Sequence, residues 1–132
     1  MTSSTSIDHE PPRRWTVTSP AQLRVLREQL RHVAGLWAIP DDCTDRILMI
    51  VNELTSNAID HARSTCAITV RRSKALVRVL VADDSTLPPR IAPYDVHATR
   101  GRGLQMVRAL ANRWGWTPRN GGKTVWAAVN CG

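Results

Sequence analysis

Aromatic side chains are scarce in this sequence. Its 132 residues include five tryptophans, one tyrosine and no phenylalanine. The formal net charge of +7 makes a polyanion such as nucleic acid a partner to consider. The basic residues are scattered, however, and no dense basic cluster interleaves with aromatic residues. Because charge without a recognition element is weak evidence, direct nucleic-acid binding is disfavoured.

Long apolar runs are absent as well. No stretch reaches the ~18 apolar residues that a membrane-spanning helix requires, and the polar start has no signal-peptide core. We therefore predict a soluble, cytoplasmic protein without a membrane partner. The length suits one domain that buries its core without cross-links. Residues 1–12 are predicted to be a disordered tail and residues 13–132 the folded domain.

Cysteine is the third scarce residue type. Cys43, Cys66 and Cys131 are an odd number, with no C-x-x-C pair and no ligand-like histidine spacing. Neither a disulfide framework nor a zinc site is indicated by this pattern. We expect free thiols, with Cys66 buried in a strand.

The most informative segment, residues 42–62, has the pattern of one long amphipathic helix. Glu53 and Asn57 lie four residues apart along one edge of its apolar stripe, with Asp60 and His61 a turn further on. A carboxylate and a carboxamide at the border of a buried face can meet a ligand at a pocket mouth. The same pair also occurs on many solvated helices, so alone it is weak evidence. The stripe comprises Ile47, Ile50, Val51, Leu54, Ala58 and Ala62.

Further helix and strand signals precede this segment. Residues 14–17 alternate as a short strand at a sheet edge. Ser19-Pro20 predicts the start of a leucine-rich helix and Gly35 its end. Pro40 breaks the chain, and Asp41 or Asp42 is expected to cap the central helix.

After the central helix the apolar period changes to two. Residues 66–70 alternate, a polar turn at residues 72–74 follows, and residues 76–82 are nearly all apolar, which is typical of a central strand. Asp83 ends this strand on the same face as three valines. It needs a partner there, because a buried unpaired charge is costly.

Residues 84–100 fit no period and contain three prolines. Structureless loops longer than ~12–15 residues are usually functional lids or disordered, and the position of this loop favours a lid. Gly101 and Gly103 then open a third helix, where backbone amides could approach phosphate oxygens. Alone this glycine pattern is weak, because glycines before a helix are commonly turn residues.

Two strands joined by the turn Asn120-Gly121-Gly122 close the chain. Gly122-Lys123-Thr124 is not a P-loop, because position 117 is threonine where that motif needs glycine and a strand follows. The element order predicts an α+β two-layer sandwich, with a mixed, mostly antiparallel sheet covered on one face by helices.

With these elements in order, residues 13–130 resemble the histidine-kinase-like ATPase superfamily, and within it the bacterial anti-sigma-factor serine/threonine kinases. Residues 53–62 are similar to the N box, Asp83 to the first glycine box, residues 101–104 to the second and residues 122–126 to the closing strand. Four matches in this order are specific. Ser85 and Leu87 stand where the first glycine box normally has glycine, which predicts weaker or differently shaped adenine binding.

The resemblance implies a kinase that uses ATP and Mg²⁺, binds a sigma factor and phosphorylates an anti-anti-sigma protein. Asn57 would coordinate Mg²⁺. Asp83, with Thr124 beside it, would accept a hydrogen bond from the adenine amino group. Glu53 would act as the general base toward the attacking hydroxyl.

The same resemblance places the phosphates at the start of the third helix. Gly101, Gly103 and Leu104 would line them, and Arg100 or Arg102 would pair with their charge. Dimerisation is common in such kinases, so a homodimer belongs to the expected partners. A non-catalytic partner-switching module with a degenerate ATP site is the alternative function on this fold.

Overall fold

The structure, a computed structural model, describes residues 11–62, 65–89 and 103–132. The first ten residues of the predicted tail, and residues 90–100 of the predicted lid, lie outside this part of the chain. No helix among the described residues is long and apolar enough to cross a membrane. The elements in chain order are β1 (Arg13–Val17), α1 (Pro20–Leu36), α2 (Asp41–Ala62), β2 (Cys66–Ser73), β3 (Leu76–Asp83), α3 (Gly103–Leu110), β4 (Arg113–Arg119) and β5 (Gly122–Asn130).

The five strands form one sheet in the order β1-β2-β3-β5-β4. Each neighbouring pair is antiparallel, so within the described residues the mixed component of the predicted sheet is not found. β1 lies at an edge, as predicted. The α+β sandwich with helices on one sheet face is confirmed.

The core lies between the helices and one face of this sheet. Strand alternation brings Val77, Val79 and Val81 of β3 to that face, where each is at most 1% exposed. The predicted stripe of α2 packs there too from Ile47 to Ala58, with Ile50 and Val51 fully buried. Asp83 follows the three valines on the same face of β3, which brings its carboxylate beneath the helical layer.

The ends of α1 and α2 differ slightly from the sequence prediction. Ser19 caps α1 as expected, and its hydroxyl accepts a hydrogen bond from the Gln22 N–H at 3.3 Å. Gly35 does not end the helix, which continues to Leu36 and reverses at Ala38 with a φ of 56°. Asp41 and Asp42 both lie in the first turn of α2 rather than at its cap, and there they still favour the positive end of the helix dipole.

The turn between β2 and β3 is also displaced from its predicted position. β2 continues through Ser73, which pairs with Leu76, so the turn consists of Lys74 and Ala75 rather than residues 72–74. Lys74 has a positive φ of 56°. The hairpin itself is present as predicted.

A polar contact ties α3 to α2. The Arg46 guanidinium donates two hydrogen bonds to the Leu110 carbonyl oxygen, at 3.2 and 2.7 Å. Carbonyls at a helix C-terminus lack partners within the helix, and a cation there also favours the helix dipole. This contact fixes α3 against the central helix.

The expectation of three free thiols is wrong for two of them. Cys43, near the start of α2, forms a disulfide with Cys131, just after β5, with the two Cα atoms 5.7 Å apart. The cysteines are 88 residues apart in sequence, so no local spacing could indicate the pair. Cys66 is free and buried in β2, as predicted.

We expect Cys43→Ser to lower the free energy of unfolding by about 2–4 kcal/mol under oxidising conditions, because the disulfide constrains the unfolded chain. Urea unfolding with and without reductant measures the effect. In reductant the wild type should fall to nearly the stability of the variant. Equal stability of both proteins without reductant would show that the bond does not form in solution.

Candidate functional site

A buried ion pair lies at the end of the two central strands. Asp83 is the last residue of β3 and is 3% exposed, and Lys123 is the second residue of β5 and is 4% exposed. The two residues face each other in the strand register, with Lys123 Nζ 3.1 Å from Asp83 Oδ1. Lys123 is therefore the partner that the position of Asp83 requires.

Gly122 allows the close approach of β5 to β3. A Cβ atom at position 122 would collide with the Asp83 carbonyl oxygen, so a larger residue would displace the strand. The preceding turn residue, Gly121, has a φ of 78°, which favours glycine. The two glycines of the turn thus set the position from which Lys123 reaches Asp83.

The chain after Asp83 is held by local side-chain hydrogen bonds. Asp83 Oδ1 accepts a hydrogen bond from the Ser85 backbone N–H at 2.8 Å, and Ser85 Oγ accepts one from the Leu87 N–H at 3.2 Å. Neither Ser85 nor Leu87 has a positive φ. The residues that replace the expected glycines are therefore accommodated without left-handed backbone.

Asp83 and Lys123 line a small cavity between the sheet, α2 and α3. Its volume is about 20 Å³, which is room for roughly one water molecule and far less than a nucleobase needs. Asn57 of α2 supplies a third polar side chain. The apolar walls are Leu54, Ala58, Val81, Pro89, Leu104 and Val125.

Glu53 lies outside this cavity. It lines an open groove of about 860 Å³ bordered by α1 and α2, one helical turn before Asn57. Three arginines of α1 share the groove: Arg24, Arg27 and Arg31. Arg27 donates a hydrogen bond to Asn52 Oδ1 at 2.6 Å, which holds one of these guanidiniums against α2 in the groove.

The family model of the histidine kinase-like ATPase domain matches residues 16–129. This chain belongs to that family. The match begins in β1 and ends in β5, so the small cavity and the Glu53 groove both lie within this histidine-kinase-like ATPase domain. No curated protein matches the chain.

A solved structure shows the same fold. It is the crystal structure of the RsbU and RsbW domains of Rv1364c from Mycobacterium tuberculosis, with a TM-score of 0.71 and 20% sequence identity. The superposition covers 92% of this ATPase domain chain and 32% of the other chain, so the present chain spans about a third of that protein's length.

The structure brings together three of the residues singled out in the sequence, Asn57, Asp83 and Leu104, around the cavity of this ATPase domain. Thr124 is not among them. It pairs with Ala82 and lies on the opposite sheet face from Asp83, because neighbouring strand residues alternate between faces.

The second glycine box is described only in part. Gly103 is the first residue of α3, whereas Arg100, Gly101 and Arg102 lie outside the described residues. Leu104, the next residue of α3, is buried in the wall of the cavity. The start of α3 therefore adjoins the cavity.

Sequence reasoning missed Lys123 as a site residue. A signal was present, because Lys123 lies two positions before the apolar core residue Val125 and must share its sheet face. A lysine on the core side of a central strand needs an anionic partner. Which carboxylate supplies it depends on the pairing of β3 with β5, and local sequence pattern does not reveal that pairing.

Cys66 of β2 lies near the ion pair. Burial raises the pKa of the Cys66 thiol to about 11, and the negative charge of Asp83 adds to this. Cys66 is therefore a protonated, unreactive thiol at neutral pH. It is a buried structural residue rather than a nucleophile.

Proposed function

We propose that this domain binds ATP with Mg²⁺, transfers the γ-phosphoryl group to a serine or threonine of an anti-anti-sigma protein, and binds a sigma factor. The observation that carries the nucleotide site is Asp83, a buried carboxylate oriented by Lys123 and the Ser85 amide in a cavity that Asn57 also lines. The family match over residues 16–129 and the fold shared with the structure that contains an RsbW domain support a domain of this class.

Asp83 would read the adenine base. Lys123 and the Ser85 amide both contact Oδ1, and the other oxygen, Oδ2, would accept a hydrogen bond from the amino group of adenine. The apolar walls suit the faces of a flat ring. Because the cavity is smaller than a base, its lining must move when the nucleotide enters.

Asn57 and the start of α3 would hold the phosphate end. Among the described residues no group of three or more histidines, cysteines or carboxylates could form a complete metal cage. Mg²⁺ keeps several waters and substrate phosphates as ligands, so it needs few from the protein. The Asn57 carboxamide oxygen would be the protein ligand, and Mg²⁺ would neutralise phosphate charge.

Glu53 would be the general base. Its carboxylate is half-buried, one turn from Asn57, and borders a groove open to a second protein. A base that lines this groove could accept a proton from a hydroxyl of a docked protein, while Asp83 would hold the adenine in the separate cavity. Glu53 and Asp83 line different sites, so Glu53 would activate the hydroxyl while Asp83 would bind the adenine.

A second candidate function is a non-catalytic partner-switching module. The observation that favours it is the cavity of about 20 Å³, which the described residues leave too small for a nucleotide. Such a module would bind its protein partners without measurable ATP binding. The two candidates therefore differ in a direct binding measurement.

We expect calorimetric titration with ATP to show saturable binding that Mg²⁺ strengthens. Asp83→Asn should weaken binding by roughly 10-fold or more, because the new amide presents a donor to the adenine amino group and a charged acceptor is lost. Asp84→Asn removes the same charge from the exposed neighbouring residue and serves as the matched control. Absence of heat at high ATP concentration would favour the non-catalytic module.

A further inference from the structure

We propose that Lys123 is a specificity-determining residue that donates a hydrogen bond to the ring nitrogen N1 of adenine, beside the amino group read by Asp83. This inference rests on the proposed nucleotide site and deepens it. In this assignment Lys123 has two roles: it orients the carboxylate, and it recognises the base directly.

The geometry supplies two complementary groups side by side. Asp83 is an acceptor, Lys123 is a donor, and 3.1 Å separates Nζ from Oδ1 within one cavity wall. The edge of adenine carries the matching pair, since its amino group is a donor and the adjacent N1 is an acceptor. One base can therefore satisfy both residues at once.

The hydrogen-bonding capacity of Lys123 supports this role. An ammonium group has three N–H donors, and among the described residues Asp83 is its hydrogen-bond partner. Lys123 is 4% exposed, so a remaining donor that faces the cavity gains from a ligand acceptor more than a solvated lysine would. Gly122 fixes the strand from which the ammonium reaches that position.

The same arrangement disfavours guanine. In the pose that places the 6-position of a purine at Asp83, guanine presents an oxygen to the carboxylate and an N1–H to the ammonium. The guanine oxygen would then face the carboxylate, acceptor to acceptor, and N1–H would face the ammonium, donor to donor. A site with Asp83 alone would have only the first of these mismatches. Sites built to hydrogen-bond one polar pattern reject the wrong pattern strongly, because buried polar groups are left unpaired.

The test compares ATP with 1-deaza-ATP, which lacks only the N1 acceptor, by calorimetry on the full chain and on Lys123→Met. The wild type should bind 1-deaza-ATP roughly 10-fold or more weakly than ATP, because a hydrogen bond to a charged donor is lost. Lys123→Met should bind the two nucleotides equally. GTP should bind the wild type more weakly than ATP, and Lys123→Met should reduce that preference.

The outcomes separate this inference from the proposed nucleotide site. Tight ATP binding with no difference for 1-deaza-ATP would overturn the Lys123 contact and leave the site standing. Equal binding of GTP and ATP to the wild type would overturn the adenine-reading arrangement. No binding of any nucleotide would overturn both the site and the inference. If Lys123→Met does not fold, the wild-type comparison of ATP with 1-deaza-ATP still decides the N1 contact.

Discussion

Lys123→Met is expected to lower the free energy of unfolding by about 3–5 kcal/mol, because it leaves the Asp83 carboxylate buried without its cation. Methionine keeps most of the length and volume of the side chain, so the loss reports on charge rather than on a cavity. Domains of this kind have total stabilities of about 5–15 kcal/mol. Urea unfolding of the nucleotide-free protein should therefore show a much lower midpoint.

The chain offers a matched control for this variant. Lys74→Met makes the same chemical change at an exposed position in the β2–β3 turn, and it should change stability by less than about 0.5 kcal/mol. A Lys123→Met variant as stable as Lys74→Met would show that the ion pair does not stabilise the fold.

Removal of both charges shows why Lys123→Met loses stability: from the lost attraction itself, or from the buried carboxylate that is left unpaired. The double variant Asp83→Asn/Lys123→Met has no buried charge at this position, so it should recover much of the stability lost in Lys123→Met. If the two substitutions change the free energy of unfolding additively in the double variant, the two side chains do not interact. That result would contradict the role of Lys123 in orienting Asp83.

The fold could be predicted because its main signals are local. The alternation of β3 indicates which face is buried, and it carries Asp83 to the core side together with the three valines. The apolar stripe of α2 predicts the layer above, and Asn57 at its edge indicates where a pocket can open. These patterns depend only on helix and strand periodicity, which a single sequence records.

The extension of α1 past Gly35 has its cause in tertiary packing. Gly35 has no side chain to favour the helix, yet α1 continues past it, and Ala38 takes the positive φ at the reversal. Packing explains this outcome, because Trp37 follows the helix and is buried in the core. Tertiary burial of one large side chain thus outweighs the preference of glycine for a helix C-terminus.

The missed contacts are nonlocal. Asp83 and Lys123 are 40 residues apart, and Cys43 and Cys131 are 88 residues apart. Both contacts depend on how β5 and the chain after it pack against the earlier elements. Local pattern predicts that β5 is a strand and which of its faces is buried, but it does not give the register that brings Lys123 to Asp83.

Glu53→Gln is expected to reduce phosphoryl transfer by about 10²–10⁴-fold, the contribution typical of a positioned general base. Glutamine keeps the size of the side chain but cannot accept the proton from the attacking hydroxyl at neutral pH. ATP affinity should be nearly unchanged, because Glu53 lines the open groove rather than the cavity of Asp83. Transfer of label from γ-labelled ATP to a purified anti-anti-sigma protein, with calorimetry in parallel, measures the two effects separately.

Glu28 provides the control for this experiment. It lines the same groove from α1, so Glu28→Gln removes an equal charge from the same surface without touching the proposed base. Only Glu53→Gln should show this large loss of turnover, since docking electrostatics change similarly in both variants. Normal turnover in Glu53→Gln would remove the base role. If wild-type protein binds ATP and its partner without transferring label, the groove is a docking surface and the ATP site regulates binding, because nucleotide binding on this fold does not by itself require catalysis.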